Sequence, residues 1–130
     1  NGWTPWQALI AEEIAGIEDR VVYLDGGDLD AMLARAAGCV VINSTVGLTA
    51  LTLGAPVKAL GAAIYDLPCM TFQTDLDAFW AGAAKPDEAR LALFLRALTA
   101  ALQVPGGFDG TGAEPGAANM AAKMLSPRPY

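Results

Sequence analysis

The chain has 130 residues, 54% hydrophobic and 17% charged, with a formal net charge of −6 and no histidine. One domain's length with that apolar content excludes disorder and supplies a core without metal or disulfide staples. The acidic balance argues against nucleic acid or an anionic membrane surface as partner, and the longest apolar run, Val46 to Val57, is about 12 residues against about 20 for a bilayer span.

The elements follow in chain order. "TPWQALIAEEIAGI" predicts a helix over 4–17, with Thr4 as N-cap, Pro5 in the first turn, Gln7 closing a capping box and Trp6, Ile10, Ile14 and Ile17 at helical spacing. "RVVYL" (20–24) predicts a strand ended by Asp25-Gly26-Gly27, after which Asp28 caps the helix "LDAMLARAA", stopped by Gly38. "CVVIN" (39–43) is the next strand, "TVGLTALTL" (45–53) a helix closed by Gly54, and "APVKALG" (55–61) a third strand. This βαβαβ order of short apolar strands predicts an α/β fold: a parallel sheet with helices on both faces.

Beyond it, "AAIYDLPCMTFQ" (62–73) reads as loop and "TDLDAFWAG" (74–82) as a short helix capped by Thr74 or Asp75. From Pro86 to Gln103, Leu91, Phe94, Leu95, Leu98 and Leu102 form one apolar stripe to pack on the sheet, with Asp87 and Glu88 in the first turn. Residues 1–104 thus form one domain, and 105–130, with five glycines and four prolines, a tail with one short helix near 117–125. The start at Asn1 and a charged fraction below the roughly 25% of average chains lead us to expect a piece of a longer polypeptide, its surface covered by a missing domain.

In an open α/β sheet, ligands bind at the carboxyl ends of the strands, and two loops leave that edge here. The first, Asn43-Ser44-Thr45-Val46-Gly47, offers helix-start N–H groups and hydroxyls to an anion. The second, Gly61-Ala62-Ala63-Ile64-Tyr65-Asp66, offers small residues for close approach, a ring to stack and a carboxylate to accept from hydroxyls. Together they suit a nucleotide. The alternatives are structural: Asn43 and Ser44 are good N-caps, Gly47 lets a helix pack against a strand, and Tyr65 is an ordinary aromatic at the core's edge.

Other chemistries lack their motifs. No Gly-Lys-Ser/Thr phosphate loop and no G-x-G-x-x-G occurs. Without histidine there is no Ser-His or Cys-His pair, and carboxylates, Tyr23, Tyr65 and Lys58 are the remaining proton-transfer groups. Lys58, within a strand, is expected to snorkel outward, and Asp25, Asp28 and Asp30 to cap and turn the chain. No catalytic residue is assigned. Cys39 and Cys69 show no metal-ligand spacing, so no metal is expected and both read as reduced structural thiols of a cytoplasmic protein.

"INSTVGLTALTLGAPVKALGAAIYDLPCMTFQTDLDAFW" (42–80) resembles the signature region of the bacterial capsule polysaccharide biosynthesis and export family, which includes transferases of 3-deoxy-D-manno-oct-2-ulosonic acid (Kdo). The likeness covers Asn43 to Gly47, the Gly-x-Pro-Val turn at 54–57, Gly61 to Asp66, Pro68, Thr71, Gln73 and residues 76–80, and more weakly Asp28 to Gly107. It implies a Rossmann-like domain, the carboxyl-terminal, donor-nucleotide half of a two-domain (GT-B) glycosyltransferase. The donor would be CMP-Kdo and the acceptor a lipid-linked saccharide at the cytoplasmic face of the inner membrane. Asn43, Ser44, Thr45, Gly47, Thr49, Gly61, Tyr65 and Asp66 would line the nucleotide site, with no other cofactor.

The chain departs from the family pattern at Thr49, where many members carry Glu, at Cys69-Met70, where Gly-Leu is common, and at Phe72, where some have His. The family's His-Pro motif would precede Asn1, which implies that the isolated domain is inactive. A second reading is a non-catalytic capsule export or assembly component that docks partners through exposed apolar surface. A third is an unrelated flavodoxin-like binding module.

Overall fold

The computed structural model describes residues 5–102, 104, 106, 107 and 109–125. They form a mostly helical α/β arrangement around a small two-stranded parallel sheet. Helix α1 (Trp6–Glu13) starts with the Leu9 N–H on the Pro5 carbonyl at 3.0 Å; Thr4, the expected cap, lies outside the described residues. The helix stops short of the predicted Ile17 because Gly16 adopts φ +88°. Its apolar stripe is not buried, and Trp6 is 60% exposed.

The predicted strand over 20–24 is absent. Glu18–Arg20 make a short 3-10 turn and Val21 is extended (φ −122°, ψ 129°), but no backbone bond joins 22–24 to another described residue. A strand exists only through pairing. Val22 is 78% exposed, so water takes the place of the missing ladder. Helix α2 (Leu29–Leu33) begins as expected, with the Asp28 carboxylate accepting from the Ala31 N–H at 3.0 Å.

The remaining pattern resolves into one βαβ unit in place of the predicted βαβαβ. Strand β1 (Cys39–Val41) leads into helix α3 (Val46–Thr52) and strand β2 (Val57–Ala59), with Cys39, Val40 and Val41 opposite Val57, Lys58 and Ala59. Gly54 ends α3 at φ +77°, its N–H on the Leu51 carbonyl and the Ala55 N–H on the Ala50 carbonyl. That is a Schellman closure. It turns the chain straight into β2.

Period-two alternation puts Cys39, Val41, Val57 and Ala59 on one face of the pair. Cys39, Val41 and Val57 join Ala50 and Leu51 of α3, and Leu33 of α2, in the core. Val40 and Lys58 take the opposite face. There the Lys58 ammonium donates to the Phe72 carbonyl at 3.3 Å instead of reaching into water, while the Phe72 N–H bonds the Val57 carbonyl on β2's outer edge at 2.8 Å.

Helix α4 (Leu76–Gly82) is capped by Asp75, which accepts from the Ala78 N–H at 2.7 Å, and not by Thr74. Helix α5 (Glu88–Leu102) starts on Asp87, whose carboxylate accepts from the Arg90 N–H at 3.0 Å. Leu91, Phe94 and Leu95 of its stripe reach the core, and Leu102 stays exposed. Helix α6 (Ala113–Leu125) is longer than the predicted 117–125, because Pro115 falls in the first turn, where a missing N–H breaks no bond. Among the described residues no helix is long and apolar enough to cross a membrane.

Candidate functional site

Since β1 and β2 are parallel, their carboxyl ends share one edge, and the loops after both begin there. Pairing continues past the strands, with the Leu60 N–H on the Val41 carbonyl and the Gly61 N–H on the Ile42 carbonyl, each at 2.8 Å. A Cβ at Gly61 would stand 2.9 Å from Ile42 Cγ2 and 3.2 Å from its carbonyl oxygen. Gly61 therefore lets one loop pass against the other; the small residue serves chain-to-chain approach.

Tyr65 ties the two loops together. Its hydroxyl donates to the Ser44 carbonyl, and its ring packs beneath α3 so closely that a Cβ at Gly47 would come within 2.7 Å of Cζ. The side chain is 3% exposed. Its ring thus meets protein and offers no open face to a base, contrary to the expectation of stacking. Burial, and then the charges of Cys39 and Asp66 nearby, push the phenol's pKa up.

The hydrogen bonds also move the available donors. The Val46 N–H takes the Ser44 hydroxyl at 3.2 Å, the Gly47 N–H the Ser44 carbonyl at 3.0 Å, and the Leu48 and Thr49 N–H groups the Thr45 carbonyl at 3.0 and 3.2 Å. The expected donors at 46 and 47 are therefore engaged. Among the described residues, the N–H groups of Asn43, Ser44 and Thr45 have no partner, and these three residues are exposed. Ser44 acts as a cap and Asn43 does not. Thr49, half-buried, lies one turn beyond Thr45 on the same helix face.

Asp66, next to Tyr65, is half-buried and sits in a polar cluster that was not legible in advance. Its Oδ1 accepts from the Thr71 hydroxyl at 2.6 Å and from the Gln73 amide at 3.1 Å. The same amide reaches Thr71 Oγ1 at 2.8 Å. Among the described residues Oδ2 has no hydrogen bond. The cluster's sequence signal is a hydroxyl and an amide within seven residues of the carboxylate, Thr71 and Gln73, both inside the stretch that carries the family resemblance. No group of three or more His, Cys, Asp or Glu among the described residues could hold a metal ion, and Cys39 and Cys69 are free thiols.

Comparison with known proteins adds identity to this geometry. A family described as capsule polysaccharide biosynthesis protein matches residues 3–108. The capsule polysaccharide export protein KpsS of Escherichia coli is 38% identical over 72 residues, covering 55% of this chain and 18% of that protein. The capsule polysaccharide modification protein LipB of Neisseria meningitidis, in serogroups A and B alike, is 42% identical over 72 residues, 55% of this chain and 17% of its own length. The chain thus spans less than a fifth of these relatives. No solved structure matches it.

Proposed function

Because the chain belongs to the capsule polysaccharide biosynthesis family, we propose that it is the Rossmann-like, donor-nucleotide half of a GT-B glycosyltransferase that moves Kdo from CMP-Kdo to a lipid-linked saccharide. The work would be done at the cytoplasmic face of the inner membrane, with an amino-terminal domain of the same protein closing the cleft and supplying the acceptor's base. The observation that carries this reading is the joining of two loops at the carboxyl edge of a parallel pair by the Tyr65 hydroxyl and the Ser44 carbonyl. One rim offers N–H donors at 43–45 and the other the Asp66 carboxylate.

In that role the amides of Asn43, Ser44 and Thr45, with the Thr45 hydroxyl, would bind the phosphate of the leaving CMP. Negative charge grows there as the glycosidic bond breaks, so oriented donors lower the barrier more than they favour the bound substrate. Gly47 and Tyr65 hold the loop in shape. Gly61 keeps the two rims adjacent, and Thr49 extends the polar face of α3.

The test is calorimetry of CMP and CMP-Kdo against the full-length protein and its Ser44→Ala/Thr45→Ala variant. Hydrogen bonds to a charged group contribute about 1.5–3 kcal/mol, so the double variant should bind CMP at least about tenfold more weakly. No nucleotide binding by the full-length protein would overturn the reading. It would favour a non-catalytic export or assembly component, supported by the name of the KpsS relative and by exposed apolar residues such as Trp6, Val22, Ile42 and Trp80.

A further inference from the structure

The two faces of the sheet are covered unequally. On one, Cys39, Val41 and Val57 share a core with Leu33, Ala50, Leu51 and Leu91. On the other, the amino end is closed by Phe79 of α4, 1% exposed and so near Gly38 that a Cβ there would stand 2.6 Å from its Cζ. The carboxyl end is open. Val40 and Lys58 are only half-buried there, and Ile42 and Leu60, which follow β1 and β2, are 69% and 54% exposed. The Leu60 N–H on the Val41 carbonyl and the Gly61 N–H on the Ile42 carbonyl, each at 2.8 Å, hold these two side by side.

Lys58 adds a cation to this surface. Its ammonium donates to the Phe72 carbonyl and, among the described residues, to no carboxylate, so two of its three donors are unused. A parallel sheet is stable with both faces covered, and the elements that cover it are helices. The fitting occupant is therefore a helix with an apolar stripe for Ile42 and Leu60 and a carboxylate for Lys58. A second copy of this chain fits poorly, since a net charge of −6 sets two copies against each other. The KpsS and LipB relatives, of which this chain spans 18% and 17%, have the length to hold such a helix in one polypeptide, and tethering presents it at high effective concentration. We propose that a helix from another part of the same polypeptide lies across the carboxyl end of this face, its apolar stripe on Ile42 and Leu60 and an acidic side chain on Lys58. The proposal stands apart from the nucleotide reading and survives its failure.

The experiment places the photo-crosslinking residue p-benzoylphenylalanine at Leu60, and separately at Ile42, in the full-length protein. Irradiation and peptide mapping should join it to a peptide outside these 130 residues, from the same molecule, with an Asp or Glu in a helical apolar pattern. A mixture of isotopically light and heavy protein separates one molecule from two. Light-to-heavy crosslinks, crosslinks within the 130 residues, lipid adducts or no adduct would each overturn the proposal. As a second readout, Leu60→Cys should react with a maleimide at least about tenfold more slowly in the folded full-length protein than in urea, the slowing that a local opening free energy of about 1.4 kcal/mol imposes. Lys58→Glu, which sets like charges against each other, should remove most of that slowing, and Lys58→Arg should keep it. Lys58→Gln reads the same rate should Lys58→Glu fail to fold. Equal rates in folded and unfolded protein, or a slowing that survives the loss of the Lys58 charge, would overturn the proposal.

Discussion

Gly47 and Tyr65 divide one small volume between them, and neither tolerates a change in the other. Gly47→Ala forces a methyl group against the Tyr65 ring. Overpacking of this kind costs about 1–3 kcal/mol, to be read as a lowered denaturant midpoint. Tyr65→Phe keeps the ring and removes only the bond to the Ser44 carbonyl, so the loss should be about 0.5–1.5 kcal/mol. Burial raises the pKa of Tyr65 from its ordinary 10.0 and that of Cys39 from 9.0. An acid with a raised folded-state pKa keeps its proton longer in the folded chain, so its contribution to stability is whole below the unfolded pKa and disappears as pH climbs through the folded one. Unfolding titrations should therefore show stability falling above about pH 9, and Tyr65→Phe should flatten the upper part of that fall. At this scale the sequence told which residues gather at the strand ends, because loop positions follow from strand order. It did not tell which groups were already spoken for: whether an N–H or a ring faces a ligand or a neighbour is decided by contacts such as that of Tyr65 with Ser44, 21 residues apart.

Helices were the legible elements, because their signals are local. Asp28, Asp75 and Asp87 each accept from the N–H three residues on, and Gly54 closes α3. Asp75→Ala should cost about 1 kcal/mol. Helix α4 also delivers Phe79, 1% exposed, which packs against Gly38 and meets Phe72 edge-on with ring centroids 5.4 Å apart. Phe79→Ala should cost about 3–5 kcal/mol, the largest single loss expected in thermal or denaturant unfolding. Strands were less legible. "RVVYL" has strand composition but no partner among the described residues, and "CVVIN" and "APVKALG" shorten to three residues each. Pairing depends on what lies alongside, which composition does not encode. The glycines and prolines of 105–130 hid only the start of α6, residues 113–116, for the opposite reason: a proline in a first turn costs a helix nothing.

Across the whole molecule, the contrast is between a well-filled centre and an apolar exterior. A two-stranded sheet is marginal by itself, and here its inner face shares one core with Leu33, Ala50, Leu51, Tyr65, Met70 and Leu91. The relatives are far longer, so a larger protein has the means to cover Trp6, Val22 and Leu24. The phenol between the rims has a further consequence. Free energy passed through a shared contact is reciprocal: what occupancy of the Ser44 side does to the Asp66 side, occupancy of the Asp66 side does to the Ser44 side. A phosphate compound that touches only residues 43–45 should slow deuterium uptake at the Asp66 amide, whose N–H rests on the Ala63 carbonyl at 3.0 Å. Cutting the tether with Tyr65→Phe should leave the two rims to fluctuate independently, so that occupancy of one is no longer felt by the other.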